Sequence, residues 1–339
     1  MSEIDSNSAY TAYCENCKEE RAVRVVEEQE TLELDGTSYT YAIHTGYCTV
    51  CGEKATPQAM LEANQRSFSA AVRTRFGLVS QEIVEGVAQR YNIKPRPLSA
   101  LLGWGTHTYP RFVEGDIPNK SFSDKIINLW NSPLSYLMIL LDNGSSISNV
   151  ALKKSSAAAK EALLNISSKA ERAAAYLIGK TESNSSLALQ KELYYAQGLM
   201  MAFYGKQLFS TQCEAWQFGP VFPEVWRTIH PREIREEALI DSNLDECVRP
   251  TFTEEELAVL DAVASNVGCY SPFILRDITH SEQPWLDARG SLPDNEASAN
   301  PITEASIEVF FVTLRKRYRM EKPADIRHYM IEAATRARG

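Results

Sequence analysis

QKELYYAQGLMMAFYGKQLFSTQCEAWQFGPVFP, residues Gln190–Pro223, is the stretch that decides the reading of the second half of this chain. Leu189, Leu193, Ala196, Met200 and Phe203 recur at alternating steps of four and three, which lines one face of a helix. Gly205 ends that helix, an extended aromatic segment follows, and Gly219-Pro220 forces a break before another helix starts towards Trp226. The bland role for Tyr194, Tyr195, Met200, Met201 and Phe203 is core packing. Trp216, Phe218, Phe222 and Trp226 flank the break, where some of them could line a surface groove instead.

Downstream, Thr253-Glu-Glu-Glu256 has the form of a capping box opening a helix over 254–267. Ser271-Pro272 pairs an N-cap with a proline at the first helical position, opening a helix over 273–279. A polar loop then leads to a last helix from about Thr303 to Arg317, and 321–339 reads as a C-terminal tail. Upstream, NGSSISN and the Ala/Lys-rich run to Leu164 lack a wide apolar face, so 143–165 reads as a linker. A helix over 171–178 then opens the second domain near Ile166.

The N-terminal half begins with Cys14-Glu-Asn-Cys17 and Cys48-Thr-Val-Cys51-Gly52. Two such turns each present a pair of thiolates to one tetrahedral ion, and strand-like Ala22–Val26 and Tyr39–Ile43 lie between them around an Asp35-Gly36 turn signal. This is the layout of a zinc ribbon. With Cys14, Cys17, Cys48 and Cys51 all available, one Zn2+ would be closed off by four ligands and structural; catalytic zinc keeps an open position. The competing readings are two disulfides or four free thiols.

Ser80–Lys120 then gives short helices: a first with Ile83, Val87 and Tyr91 on one face, a second over 97–102 ended by Gly103, and a third capped by Thr106 and closed by Gly115. The pair around the glycine turn fits a helix-turn-helix, with Thr106, His107, Thr108 and Arg111 near the reading face and Lys94, Arg96 and Lys120 placed for phosphates. Pro110 would shorten or kink the third helix. Ser123–Leu141, apolar at Ile126, Ile127, Trp130 and Leu134, would close this domain or form a dimer contact.

A chain of 339 residues with 44% hydrophobic and 23% charged residues is ordinary globular material for two or three domains. The net charge of −9 excludes wholesale nucleic-acid coating, yet Arg66–Trp130 holds nine Lys/Arg against five Asp/Glu, so the charge is uneven. The polar opening, the absence of an apolar run near the roughly 20 residues that cross a bilayer, and an odd cysteine count predict a cytoplasmic protein with reduced thiols and no membrane association. Asp277, His280 and Glu282 lie close in sequence, but no nucleophile motif or phosphate-cradling loop accompanies them, so no enzyme is expected.

Two resemblances sharpen this. Cys14–Asn143 resembles the MqsA-type antitoxins, a zinc ribbon followed by a helix-turn-helix akin to HigA and the Xre-like repressors, through its two knuckles, Leu98-Ser-Ala-Leu-Leu-Gly-Trp-Gly105 and Arg111-Phe-Val-Glu-Gly115. Tyr109-Pro110 departs from that pattern. The resemblance implies structural zinc and a dimer, joined through the helix-turn-helix region, that binds operator DNA of its own operon. About Ile166–Tyr318 resembles the Panacea (SocA- or GepA-like) antitoxin domain through Leu189-Gln-Lys-Glu-Leu-Tyr-Tyr-Ala-Gln-Gly198, Glu214-Ala-Trp-Gln-Phe-Gly-Pro-Val221 and Asp277-Ile-Thr-His-Ser-Glu-Gln-Pro-Trp285. That implies a helical domain neutralising a toxin encoded next door, as in prophage-borne type II toxin–antitoxin operons. Tyr194, Tyr195, Trp216, Phe218, Phe222 and Trp226 are then the candidate toxin contacts, since large stiff side chains gain contact area at low entropy cost.

The expected fold class is therefore mainly α with a small β zinc ribbon, in domains 1–57, 58–142 and 166–320. The alternative function is a DNA-binding transcription regulator whose helical domain senses a protein without a dedicated toxin.

Overall fold

The structure is a computed structural model describing residues 10–34, 36–181, 185–229, 243–293 and 295–338. The described chain is mostly helical with two small antiparallel sheets, and it divides into two compact units: 1–87 with 106–127, and 88–105 with 128–339.

The first unit is built on β1 (Thr11–Cys14), β2 (Glu19–Leu34) and β3 (Thr37–Cys48), in the order β1-β2-β3. Thr11 pairs with Ala22, and Val23 with Cys48, while the far end of the ribbon runs to Leu34 opposite Thr37. The strands therefore extend well beyond Ala22–Val26 and Tyr39–Ile43; of the anticipated turn, Asp35 lies outside the described residues and Gly36 takes φ +73°. Among the described residues, Ala12, Cys14, Val23, Cys48 and Ala55 form a buried cluster under the ribbon, with Cys17 and Cys51 packed against it. Helix α1 (Gln58–Arg75) lies along β3, with Phe68 against Tyr39 and Tyr41.

Helices α2 (Gln81–Arg90), α3 (Pro95–Leu101), α4 (Thr108–Val113) and α5 (Lys120–Asn131) occupy the span read as a helix-turn-helix. Val84, Val87 and Tyr91 are the buried face of the first, so the apolar stripe is one residue off the predicted Ile83. The third helix starts one residue later than anticipated, capped at His107 rather than Thr106, which puts Pro110 in its first turn, where the missing N–H costs no intrahelical bond. The two compact units part between α3 and α4, so the span does not form one unit of its own.

The 143–165 linker is replaced by structure. Helix α7 (Asn149–Asn165), capped by Ser148, buries Ser155, Ala159, Ala162 and Leu163, and packs on α6 (Pro133–Asn143), where Tyr136 Oη and Ser155 Oγ share a 2.6 Å hydrogen bond. Ile126 and Leu134, candidates for a dimer contact, are fully buried within the chain.

The second unit is organised around α9 (Ser186–Tyr204), which every neighbour covers: α8 (Lys169–Lys180), α12 (Glu254–Asn266), α13 (Pro272–His280), α15 (Glu304–Arg317) and strand β5 (Gly219–Val221). The shorter elements β4 (Cys213–Trp216), α10 (Pro223–Ile229), α11 (Leu244–Val248), α14 (Gln283–Arg289) and β6 (Pro301–Ile302) complete it. The sheet runs β5-β4-β6. The predicted stripe is too narrow, because 188–202 is buried on all faces and only Phe203, of the stripe, is half-exposed. The capping box of Thr253 with Glu256 and the Ser271 cap form as anticipated.

The supposed tail is core. Helix α16 (Ile326–Arg338) buries Ile326, Tyr329, Met330, Ala333 and Ala334 against α12 and α13. Phe311 of α15 lies against the bare face of Gly198, where an added Cβ would sit 2.1 Å from its ring. Gly198→Ala is therefore expected to lower unfolding stability by about 1–3 kcal/mol. In a Phe311→Leu background the added cost should shrink, and urea midpoints of the four proteins in the cycle check this; equal costs in both backgrounds would show that Phe311 is not the obstacle.

Candidate functional site

Three features have chemistry to offer: four clustered thiols, the predicted DNA-reading residues, and a polar centre inside the second unit.

The thiols of Cys14, Cys17, Cys48 and Cys51 come together with their sulfurs within 4.8 Å of one another. The two knuckles are built alike. Lys18 N–H donates to Cys14 O at 2.8 Å and Gly52 N–H to Cys48 O at 2.9 Å, and both residues lie in the left-handed region, at φ +56° and +78°. Each knuckle thus folds its pair of sulfurs inwards, and the Val50 amide faces Cys48 Sγ at 3.4 Å. Crowding pushes the Cys17 thiol up to about 12, its hydrogen bond with Cys51 being the largest cause. Four thiolates at this spacing repel one another unless a cation sits among them, and soft sulfur donors in a tetrahedral set suit a metal ion. His44, an optional substitute, is engaged elsewhere, its Nε2 3.8 Å from Glu27.

The predicted DNA-reading residues are placed on surfaces. Thr106, His107 and Arg111 are exposed and Thr108 is half-exposed, in the first unit with Lys120; Lys94 and Arg96 are exposed in the second. Two of the cations already have carboxylates: Arg111 Nε donates to Asp116 at 2.6 Å, and Lys120 meets Asp124 at 2.8 Å. Over the whole first unit ten Lys/Arg face seventeen Asp/Glu, so the part of the basic segment that lies there belongs to an acidic body, while Arg90, Lys94 and Arg96 lie in the second unit.

The polar centre brings together the three motifs of the second half. Gln190, Lys191 and Glu192 are all fully buried in α9. Gln190 Oε1 accepts the Phe222 amide at 2.8 Å, and Lys191 Nζ donates to the Pro220 carbonyl at 3.4 Å. Gly219, at φ +102°, lets the chain pass so close that a Cβ there would lie 2.8 Å from both Lys191 Cε and Thr279 Oγ1. Tyr195 and Tyr329 both donate to Glu282 Oε1, the latter at 2.6 Å, joining the first motif, the third motif and α16. Trp285 Nε1 donates to the Trp216 carbonyl at 2.9 Å, and His280 stacks on the Trp285 ring with centroids 4.0 Å apart.

Burial sets the charges. It pulls the Lys191 ammonium down to about 7, and pushes the carboxyls of Glu192 and Glu282 up to about 8 and about 7 and the Cys213 thiol up to about 12. The two tyrosine hydroxyls oppose the effect at Glu282; both oxygens of Glu192 lack a partner among the described residues. Sequence spacing misses all of this, because Lys191 and Glu192 sit on the face that a one-sided stripe assigns to water. Asp277 pairs with its neighbour Arg276, while Glu282 accepts from Tyr195 and Tyr329.

The same burial corrects half of the toxin-contact set. Tyr194, Tyr195 and Phe222 are at most 1% exposed and packed against α15 and Phe209, so a partner cannot touch them. Trp216, Phe218 and Trp226 remain. Trp216 and Gly219 close a two-residue hairpin that holds Phe218 out, 51% exposed, and the half-buried rings of Trp216 and Trp226 meet edge to face at 5.5 Å.

Residues 189–286 match the family described as Antitoxin SocA-like, Panacea domain. Antitoxin SocA of Caulobacter vibrioides (strain NA1000 / CB15N) is 35% identical over 108 residues, covering 30% of this chain and 57% of that protein. The chain thus spans a little over half the length of the curated relative it matches. No solved structure matches it. No helix among the described residues is long and apolar enough to cross a membrane.

Because Glu192 binds its proton more tightly when folded, folding stability falls as pH rises from about 4.5 through about 8. Glu192→Gln removes that dependence. The stability of the variant relative to wild type should widen steadily between pH 5 and pH 8 in urea titrations, and a pH-independent difference would show that Glu192 does not titrate there.

Proposed function

We propose that this protein is an antitoxin that neutralises a neighbouring-gene toxin by direct contact through its second unit, with no catalysis of its own. The carrying observation is the SocA-like Panacea match over 189–286, whose three motifs converge on one buried centre and leave the Trp216–Phe218–Trp226 surface beside it. A stoichiometric blocker needs a rigid, partly aromatic face and no reactive cavity, which agrees with the locked Glu282 and Lys191. The protein acts in the cytoplasm, where reduced thiols persist.

The cysteine cluster is read as a closed site for one structural Zn2+ held by Cys14, Cys17, Cys48 and Cys51. The ion would crosslink two turns above a core of only five buried residues, so metal binding supplies much of the folding energy of the ribbon. The first unit, presenting Thr106, His107, Thr108, Arg111 and Lys120, is read as the operator-binding part that represses the operon, with a second copy completing the dimer. Arg111 would exchange Asp116 for DNA.

Three measurements test this. Co-expression with the adjacent gene should abolish its toxicity, and Phe218→Ala with Trp226→Ala should restore toxicity at unchanged melting temperature; toxicity that persists beside the wild-type protein ends the antitoxin reading. Cys14→Ser should lose about one equivalent of zinc and unfold the ribbon, while the melt of the second unit stays in place. Arg111→Ala should weaken operator binding while leaving a steep salt dependence from phosphate contacts, and equal binding would remove Arg111 from the interface.

A further inference from the structure

We infer that the basic end of the second unit, formed by Lys316, Arg317, Arg319, Lys322, Arg327 and Arg336, is a contact surface for the phosphate backbone of a nucleic acid. All six side chains are exposed, in a chain whose net charge is −9, while the exposed carboxylates over the same span are Glu321 and Glu332. Part of this surface is tied together through Glu332. Glu332 lies 3.4 Å from Arg317 and 3.8 Å from Arg336, and accepts the Tyr318 hydroxyl at 2.7 Å, holding the end of α15 beside α16. Asp325 points inwards and is used up by the amides of Glu321 and Lys322 at 3.0 and 3.1 Å. Lys316 and Arg319 make no ion pair among the described residues.

Folding accounts for some of these cations. Arg315, Lys316 and Arg317 fill the last turn of α15, where positive charge complements the helix dipole, and Arg315 is spent on the Ala202 carbonyl and the Phe203 ring. It does not account for the others. Arg319 follows the helix end at φ +48°, a left-handed position that glycine or asparagine fills at less cost. Arg327 stands in the first turn of α16, close enough to Asp325 to interact with its charge, and its side chain is exposed. Arg319 thus stands where the local backbone disfavours it, on a face where exposed cations outnumber exposed carboxylates. Arginine suits phosphate because its planar fork donates two parallel hydrogen bonds.

The partner that fits is a regular array of phosphates, and duplex DNA and single-stranded RNA both supply one. The test uses the full-length zinc-loaded protein, a labelled mixed-sequence duplex and an RNA strand of the same length, with anisotropy read at low and moderate salt. Arg319→Glu with Arg327→Glu should weaken binding at least about tenfold and lower the salt slope on duplex by about 2, one unit or slightly less for each phosphate that is no longer neutralised. A charge-matched control, Lys153→Glu with Lys154→Glu on α7, should change affinity less than about twofold. Arg319→Gly separates function from folding: its melting temperature should rise as the left-handed strain is relieved, while its affinity falls. A loss confined to one of the two nucleic acids identifies which is bound. Equal losses in both double variants, binding too weak to measure in the wild type, or unchanged affinity in Arg319→Gly would overturn the assignment. Because Arg319, Arg327 and the control lysines all lie outside Thr106–Arg111, the difference between the two double variants is independent of the reading of that span.

Discussion

The second unit depends on one awkward fact: α9 takes Gln190, Lys191 and Glu192 into a place without water. A helix covered on all sides must satisfy or neutralise every polar group it carries, because an unpaired buried charge costs several kcal/mol. Gln190 is answered by the Phe222 amide and Lys191 by the Pro220 carbonyl, so the extended segment after α9 can run only where those partners fall. Glu192 has no partner among the described residues and stays protonated at neutral pH. The Tyr195–Glu282–Tyr329 arrangement extends the same logic to the third motif and the last helix. What distinguishes the matched sequence is therefore mostly the requirements of a buried centre.

The first unit solves a different problem. A long two-stranded ribbon buries little, and the outer end of β2 from Gln29 to Leu34 is exposed. Packing α1 along β3 covers one face, but the knuckle end is left to four cysteines and a handful of small side chains. The paired left-handed residues Lys18 and Gly52 show the same turn made twice, once with glycine and once without. This duplicated geometry brings the four sulfurs within 4.8 Å of one another. The acidic balance of this unit adds a constraint of its own. Any DNA contact through Arg111 must work locally against that background, by base reading and a few phosphates.

Local chemistry was legible where a residue type has one dominant use. The cysteine spacing, the Thr253 and Ser271 caps and the glycine stops at Gly103 and Gly205 all hold, because each depends on neighbours within a few residues. Tertiary placement was not legible. Lys191 and Glu192 look like the solvent face of an amphipathic helix until the surrounding helices close over them. Helix α7 looks like a linker because Ser155, Ala159 and Ala162 pack through small size, leaving no bulky stripe. The last helix did have a stripe, Ile326, Tyr329, Met330, Ala333 and Ala334, at the spacing of a buried face, obscured by the basic residues between. Nor could spacing show that the short helices on either side of Gly103 would part into separate compact units.

The aromatic surface and the buried centre are mechanically one object. Phe218 is held out by a hairpin whose strands are fixed from behind, through Gly219 against Lys191 and the Trp216 carbonyl on Trp285 Nε1. Arg289 adds a donor to the Ala215 carbonyl at 3.4 Å and covers the Trp285 ring. A change at Lys191, Gly219 or Trp285 therefore moves the display without touching a partner, and would be mistaken for a change at the interface itself if binding alone were measured. The distinction lies in stability. Truncating Phe218 removes exposed area and leaves the fold as it was, whereas a change in the centre disturbs folding and display together.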